Sequence, residues 1–367
     1  MLKFLHTADI HLDSAFTAHF TAEQAENMRS NIMTSFSRII KLAESVDVLL
    51  ISGDLFDNPN PSRATVSFVK RLFGGIPGTK IFIAAGNHDP YTPDSVYARE
   101  NLGENVHVFG VEPECFELPE LKTRIFGVSF SSVHCSEGLS LPEIEKRDGV
   151  FDILSVHADL VSNGTGSEYN PIDKTVIASS GADYLALGHI HKRSDVLRCG
   201  DTYYAYPGIP QGRGFDECGD LGCYIGCFDG EVTDIKFEKI AAVRMFRLET
   251  DITGCSDGIH IAEKVSDAMK NLGGCGDFYR IILNGRIEPG IFSIDSLKYK
   301  LKDLASFLEI IDKTKPAYDI EEISKQNTLC GEFVRYMLSE VKNSADAERT
   351  EEAILLGVCA LLGGDGV

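Results

Sequence analysis

The chain has 367 residues, 43% of them hydrophobic and 25% charged, with 55 acidic against 35 basic residues and a formal net charge of −20. A chain of that size buries one large core and leaves room for a second, smaller domain, and its composition is that of a globular protein. The acidic balance argues against a protein that grips nucleic acid unaided over a broad basic face, because phosphate neutralisation supplies most of such affinity.

Any nucleic-acid contact must therefore be local, carried by bound cations, or shared with a partner. No apolar run approaches the roughly 18 residues of a membrane span, and no membrane association is expected. The opening Met1-Leu-Lys-Phe-Leu-His-Thr-Ala-Asp9 reaches polar residues too soon for a secretory signal, so a cytoplasmic location is expected. The ten cysteines are scattered without a Cys-x-x-Cys pair. Cys218, Cys223 and Cys227 cluster, but two of them lie in a strand-like run, which favours reduced, buried thiols over a zinc site.

In chain order, residues 2–8 read as a first strand ending in Asp9-Ile10-His11. A helix is expected over 22–46, where Met28, Ile32, Phe36, Ile39 and Ala43 recur at three- and four-residue steps. The apolar run from Val48 reads as a buried strand ending in Gly53-Asp54-Leu55-Phe56-Asp57. A helix over 63–73 leads to a third strand from Lys80, which ends in Gly86-Asn87-His88-Asp89. Strand, helix, strand, helix, strand is the pattern of a mostly parallel sheet with covering helices. Shorter strands follow at 106–109, 123–129, 151–156 and 184–187, with a polar, glycine-rich loop at 162–170 and an irregular run at 203–215. Residues 223–228 and 232–237 read as a hairpin around Asp229-Gly230.

A domain boundary is expected between 240 and 245, giving an N-terminal domain of residues 1–242. A unit of strand, helix, strand, helix, strand would occupy 243–315. Two helices would close the chain within 316–367, the first carrying Leu329, Phe333, Met337 and Val341 on one stripe. That stripe suits either docking in a partner's groove or packing on its own domain.

Five predicted strands end in side chains of metal-binding type: Asp9 with His11, Asp54, Asn87 with His88 and Asp89, His157, and His189 with His191. Strand ends on one sheet edge converge in space while lying far apart in sequence, and ligands gather outside the carboxyl ends of such strands. Carboxylate, imidazole and one amide oxygen, without thiolate, suit a first-row divalent ion such as Mn²⁺, Fe²⁺ or Zn²⁺. Seven candidate ligands are too many for one tetrahedral ion and about right for two, with Asp54 the natural bridge. Such a pair can clamp a phosphoryl group and activate water. Singly each motif has a structural explanation: Asn-His-Asp as an ordinary turn, His157 as a satisfied core histidine. Their order and strand context together favour a metal site. His6 is expected to pack within the first strand, and His19, His107, His134 and His260 to be surface or loop residues.

Asp-x-His, Gly-Asp-x-x-Asp, Gly-Asn-His-Asp, a lone His and Gly-His-x-His, in this order over about residues 1–240, resemble the calcineurin-like metallophosphoesterase superfamily. The segments 6–16 and 206–211 are similar to its DNA-repair exonuclease branch, which includes SbcD-type nucleases and YhaO-like proteins. The resemblance implies a four-layer α/β/β/α sandwich with a small C-terminal α/β cap domain and terminal helices. It implies one metal held by Asp9, His11, Asp54 and His191 and a second by Asp54, Asn87, His157 and His189, most simply Mn²⁺. His88 would stabilise the transition state or protonate the leaving 3′ oxygen, with Asp89 orienting its ring.

The same resemblance implies DNA as substrate, an SMC-like ABC ATPase partner bound through the C-terminal helices, and a homodimer. Archaeal and eukaryotic members end the second motif in His where this chain has Asp57, which bears on substrate more than on phosphoester chemistry. A phosphoesterase for small nucleotides or phosphoproteins, or a scaffold for an ATPase, are the alternatives.

Overall fold

In a computed structural model of the chain, the described residues are 1–16, 21–162, 166–229, 233–341 and 347–362. The chain divides into two compact units, Met1–Met245 and Phe246–Val367.

The first unit opens with β1 (Leu2–Thr7) and α1 (Ala22–Ala43), then β2 (Val48–Ser52), α2 (Arg63–Gly74), β3 (Lys80–Ala84), α3 (Val96–Arg99) and β4 (Val106–Val108). Thr21 caps α1 in a reciprocal capping box with Gln24, and the helix stops three residues before the expected end, at Ala43. A second series comprises β5 (Glu114–Leu118), β6 (Thr123–Gly127), β7 (Phe151–His157), β8 (Asp159–Leu160), β9 (Pro171–Ile172), α4 (Lys174–Ser179), β10 (Tyr184–Gly188), β11 (Leu197–Cys199) and β12 (Thr202–Ala205). Then β13 (Gly222–Phe228) and β14 (Thr233–Lys239) pair as the expected hairpin. Its turn falls partly, at 230–232, outside the described residues, as do 163–165 of the expected glycine-rich loop and His19.

Two six-stranded mixed sheets result, ordered β14-β13-β1-β2-β3-β4 and β11-β12-β10-β7-β6-β5. Strands β1 to β4 run parallel, as do β6, β7, β10 and β12. Alternation along each strand divides its side chains between two faces. Phe4, Val48, Leu50, Phe82, Ile125, Phe151, Ile153 and Tyr184 fill the space between the sheets. Leu5, Leu49, Ile51, Ile81 and Ile83 instead meet Ile32, Phe36, Val69 and Phe73 of α1 and α2. On the far side, Leu154, Val156, Leu185 and Leu187 pack with Ile177 of α4. The layers are helix, sheet, sheet, helix, as the sequence motifs implied. His6 lies in the inter-sheet core, where its ring contacts the Tyr184 hydroxyl at 2.8 Å and the Leu187 carbonyl at 3.1 Å.

The second unit contains β15 (Met245–Asp251), α5 (Gly258–Leu272), β16 (Phe278–Asn284), β17 (Arg286–Ile287), α6 (Ile294–Leu301), β18 (Phe307–Asp312) and β19 (Lys315–Pro316). Strands β15, β16 and β18 form a sheet whose core includes Ile261, Val265, Met269, Tyr279, Ile281 and Leu297. Among the described residues three helices follow where two were expected: α7 (Ile320–Lys325), α8 (Leu329–Val341) and α9 (Ala347–Leu361). The buried side chains of α8 are Cys330 and Val334, with Phe333 and Met337 partly buried against Ile323, Ile354 and Val358. Leu329, expected on the apolar stripe, is 71% exposed, and the Val341 side chain lies outside the described residues. Half of the expected stripe is thus used by the chain's own helical core. No helix among the described residues is long and apolar enough to cross a membrane.

Candidate active site

The parallel direction of β1, β2 and β3 in one sheet, and of β7 and β10 in the other, sends all five motif-bearing ends to one rim. The two sheets meet there through the Ser52 and Ser155 hydroxyls, 3.0 Å apart, and through His157, whose Nδ1 donates to the Ser52 carbonyl at 2.9 Å. No side chain fits between these strand ends: a Cβ on Gly53 would stand 2.1 Å from His157 Nδ1, and one on Gly86 would stand 2.2 Å from Asp54 Oδ1. Asp9, His11, Asp54 and His189 all hold positive φ, at 53°, 50°, 52° and 104°. Such backbone is uncommon for residues other than glycine and concentrates at functional sites.

All seven expected ligands converge. Asp9, Asp54 and His157 offer ligand atoms within 4.8 Å of one another, and so do Asp9, His11 and His191. One oxygen of Asp54 lies 3.6 Å from His11 Nε2 and 3.5 Å from His157 Nε2. Its other oxygen accepts from the His88 backbone N–H at 3.0 Å. Asn87 Oδ1 stands 3.0 Å from His157 Nε2 and 3.3 Å from His189 Nδ1. The Asp9 carboxylate accepts from the His189 backbone N–H.

Burial in this group works on each charge differently. It raises Asp9, to about 6, because loss of water outweighs the help of His157. At Asp54 the same loss is overcome by His157 and His11, and the carboxylate is held below its ordinary range. Burial lowers His11 well below the usual imidazole value and brings His189 to about 4.

Three residues without a predicted role complete the rim. His11 Nδ1 donates to Asp57 at 3.0 Å, and His191 Nδ1 donates to Glu217 at 2.7 Å. Arg213 reaches both acids, 3.3 Å from Asp57 and 3.4 Å from Glu217, while its backbone N–H donates to Glu217 at 2.8 Å. Burial opposes the charge of Glu217, but His191 and Arg213 overcome it and hold the acid at about 2. Glu217 is therefore the acceptor for His191 Nδ1, which Arg213 also approaches at 3.2 Å. Asp57, noted in the sequence only as a departure, proves to be a point where His11, Arg213 and the nearby His88 ring meet. Arg213 and Glu217 sit in the irregular run after Tyr206-Pro207-Gly208, where no periodicity singles them out.

One expected role changes. Asp89 does not orient the His88 ring. Its carboxylate is buried and accepts from the backbone N–H groups of Phe56 and Gly86 and from the Tyr97 hydroxyl. Burial, with the charge of Asp54, raises it to about 7 despite those donors. His88 stands with its ring 44% exposed and 4.8 Å from the His11 ring, with its Nδ1 3.9 Å from Asp57. Of the remaining histidines, His107 is half-buried beside Glu114 at 2.9 Å, while His134 and His260 are exposed. Cys218, Cys223 and Cys227, of which Cys223 is buried, belong to none of the ligand groups found among the described residues.

The residues fit divalent cations. With their Nδ1 atoms directed at carboxylates, the rings of His11 and His191 turn their Nε2 atoms toward each other at 3.2 Å. These nitrogens and the carboxylates of Asp9 and Asp54 would surround a cation placed between them. Oxygen and imidazole donors without sulfur suit a first-row divalent ion.

Residues 2–193 match the sequence pattern of the calcineurin-like phosphoesterases. The chain belongs to that family. This phosphoesterase is 29% identical over 296 residues to the uncharacterised metallophosphoesterase YhaO of Bacillus subtilis, covering 77% of this chain and 72% of that protein. It is 27% identical to the DNA double-strand break repair protein Mre11 of Aeropyrum pernix, over 74% of this chain and 68% of that one. Against the SbcD component of the SbcCD nuclease of Bacillus subtilis it is 28% identical, over 59% of this chain and 64% of the relative. The DNA-repair branch of the family, implied by the motifs, is supported by these relatives.

Proposed function

We propose that this phosphoesterase is a dinuclear, Mn²⁺-dependent phosphodiesterase that cuts DNA as an exonuclease or endonuclease in repair, alongside an SMC-like ABC ATPase. The observation that carries the reading is the Asp54 carboxylate oxygen set between His11 and His157, with both histidines buried. Asp9, His11, Asp54 and His191 would hold one ion, and Asp54, Asn87, His157 and His189 the other. Bound there, two such ions supply Lewis-acid stabilisation of phosphoryl oxygens and lower the pKa of water for attack.

The chain's own residues do the rest. Buried strand ends hold the ligands in place and keep bulk water from the inner face. His88 is the half-exposed imidazole of the group, its ring 4.8 Å from that of His11. That position suits proton donation to a leaving oxygen, or a hydrogen bond to the phosphoryl group as charge develops. Asp89, engaged with Phe56, Gly86 and Tyr97, fixes the loop that carries His88. DNA as substrate is supported by the named relatives, and the exposed Leu329, Tyr336 and Leu356 of the C-terminal helices leave apolar surface for a partner.

The net charge of −20 favours a second reading, a phosphoesterase for small nucleotides or phosphoproteins. Hydrolysis of a small chromogenic phosphodiester beside its monoester, with Mn²⁺ present, separates the two. The first reading predicts diester cleavage that falls about 10²–10⁴-fold in His88→Ala with bound metal unchanged. A protein that turns over the monoester alone is not the proposed nuclease.

A further inference from the structure

We infer that the two metal positions are unequal, and that Asp57, Arg213 and Glu217 make the His11/His191 position the tighter one. This rests on the dinuclear reading and goes beyond it, because it assigns a role to residues outside the ligand set.

Both imidazoles at the first position are backed by carboxylates: His11 by Asp57 at 3.0 Å, His191 by Glu217 at 2.7 Å. A carboxylate on Nδ1–H fixes the tautomer, orients the ring and makes Nε2 a stronger donor to a cation. At the second position the backing of His157 is neutral, and His189 meets Asn87 Oδ1 through Nδ1 at 3.3 Å with the Asp159 charge nearby. His157 Nδ1 donates to the Ser52 backbone carbonyl, and Asn87 contributes an uncharged amide oxygen. Both positions share Asp54, so that carboxylate does not distinguish them.

Arg213 keeps the two backing acids in register. It spans from Asp57, which follows β2, to Glu217, in the loop before β13, and its side chain is only 22% exposed. A single cation between two carboxylates leaves one net negative charge beside the His11/His191 pair, so metal attraction survives the arginine. Asp57 and Glu217 are thus positioning residues acting through the histidines they hold.

The test is a calorimetric titration of the metal-free full chain with MnCl₂, with bound manganese counted after dialysis. Wild type should take up two Mn²⁺ in two classes. Glu217→Gln and Asp57→Asn, which keep shape and remove charge, should each weaken the tighter class about 10–100-fold and leave the weaker one in place. Asn87→Ala should remove the weaker class alone, and Glu217→Asp should recover part of the loss seen in Glu217→Gln. The thermal midpoint of each metal-free variant checks folding, and because Asp57 and Glu217 lie on different segments, failure of one to fold leaves the other. Two Mn²⁺ of equal affinity, or a tighter class untouched by both substitutions, overturns the inference while leaving the dinuclear reading standing. Uptake of one ion or none overturns both.

Discussion

The Nε2 atoms of His11 and His191 face each other at 3.2 Å, and each ring is fixed by a carboxylate on its other nitrogen. Nitrogens so placed beside Asp54 offer a cation a site that only the folded chain possesses. Mn²⁺ at about 100 times its dissociation constant should therefore add about 2.7 kcal/mol to the unfolding free energy. Thermal unfolding with and without chelator checks this, and His11→Ala should lose most of the increment.

Gly188 closes the gap between the sheets at the site. A Cβ there would stand 1.8 Å from the Ser52 carbonyl oxygen and 2.9 Å from His157 Nδ1. Gly188→Ala should cost about 1–3 kcal/mol of stability by overpacking and should weaken metal uptake through His157. Gly78, where an added Cβ would meet nothing within 4 Å, serves as the neutral comparison in the same denaturant titration.

Asp89 accepts from three donors: two backbone N–H groups and the Tyr97 hydroxyl. Asp89→Asn places an amide N–H against at least one of them and should cost about 1–3 kcal/mol. Loss of turnover at full stability would instead return Asp89 to the chemical step.

His6 carries a pH signature separate from the site. Burial lowers its pKa from 6.5 to about 3. Above pH 6.5 both folded and unfolded chains hold it neutral; between 6.5 and about 3 the unfolded chain alone takes the proton. Stability attributable to His6 should therefore fall as pH drops, by about 1.4 kcal/mol per unit, or about 2 kcal/mol from pH 6.5 to 5. In His6→Gln the slope over that interval should be shallower by that amount, read from urea unfolding at each pH.

The meeting of the seven site residues was legible because each motif lies at or just beyond the end of an apolar strand, and parallel strands bring their ends to one rim. The first, mostly parallel sheet and its covering helices were legible in the strand–helix alternation and the amphipathic stripe of α1, whereas the four layers came from the family resemblance. Arg213 and Glu217 gave no such signal, and Asp57 stood in the second motif without a structural role assigned. Their roles depend on an irregular loop folding back onto the second motif, which neither period nor spacing encodes. On α8 the stripe held in part: Phe333 and Met337 pack on the helical core, while Leu329 is exposed and Cys330 and Val334 take the most buried positions. Asp89 was assigned from its neighbour His88, whereas adjacent residues in a tight turn point apart.

The most direct test of the central claim is release of nucleotides from a labelled single-stranded oligonucleotide by the Mn²⁺-reconstituted chain, wild type beside Asp54→Ala. The account predicts release by wild type that stops on chelation and is absent from the variant. Undiminished cleavage by Asp54→Ala, or intact DNA under wild type carrying two Mn²⁺, would contradict it.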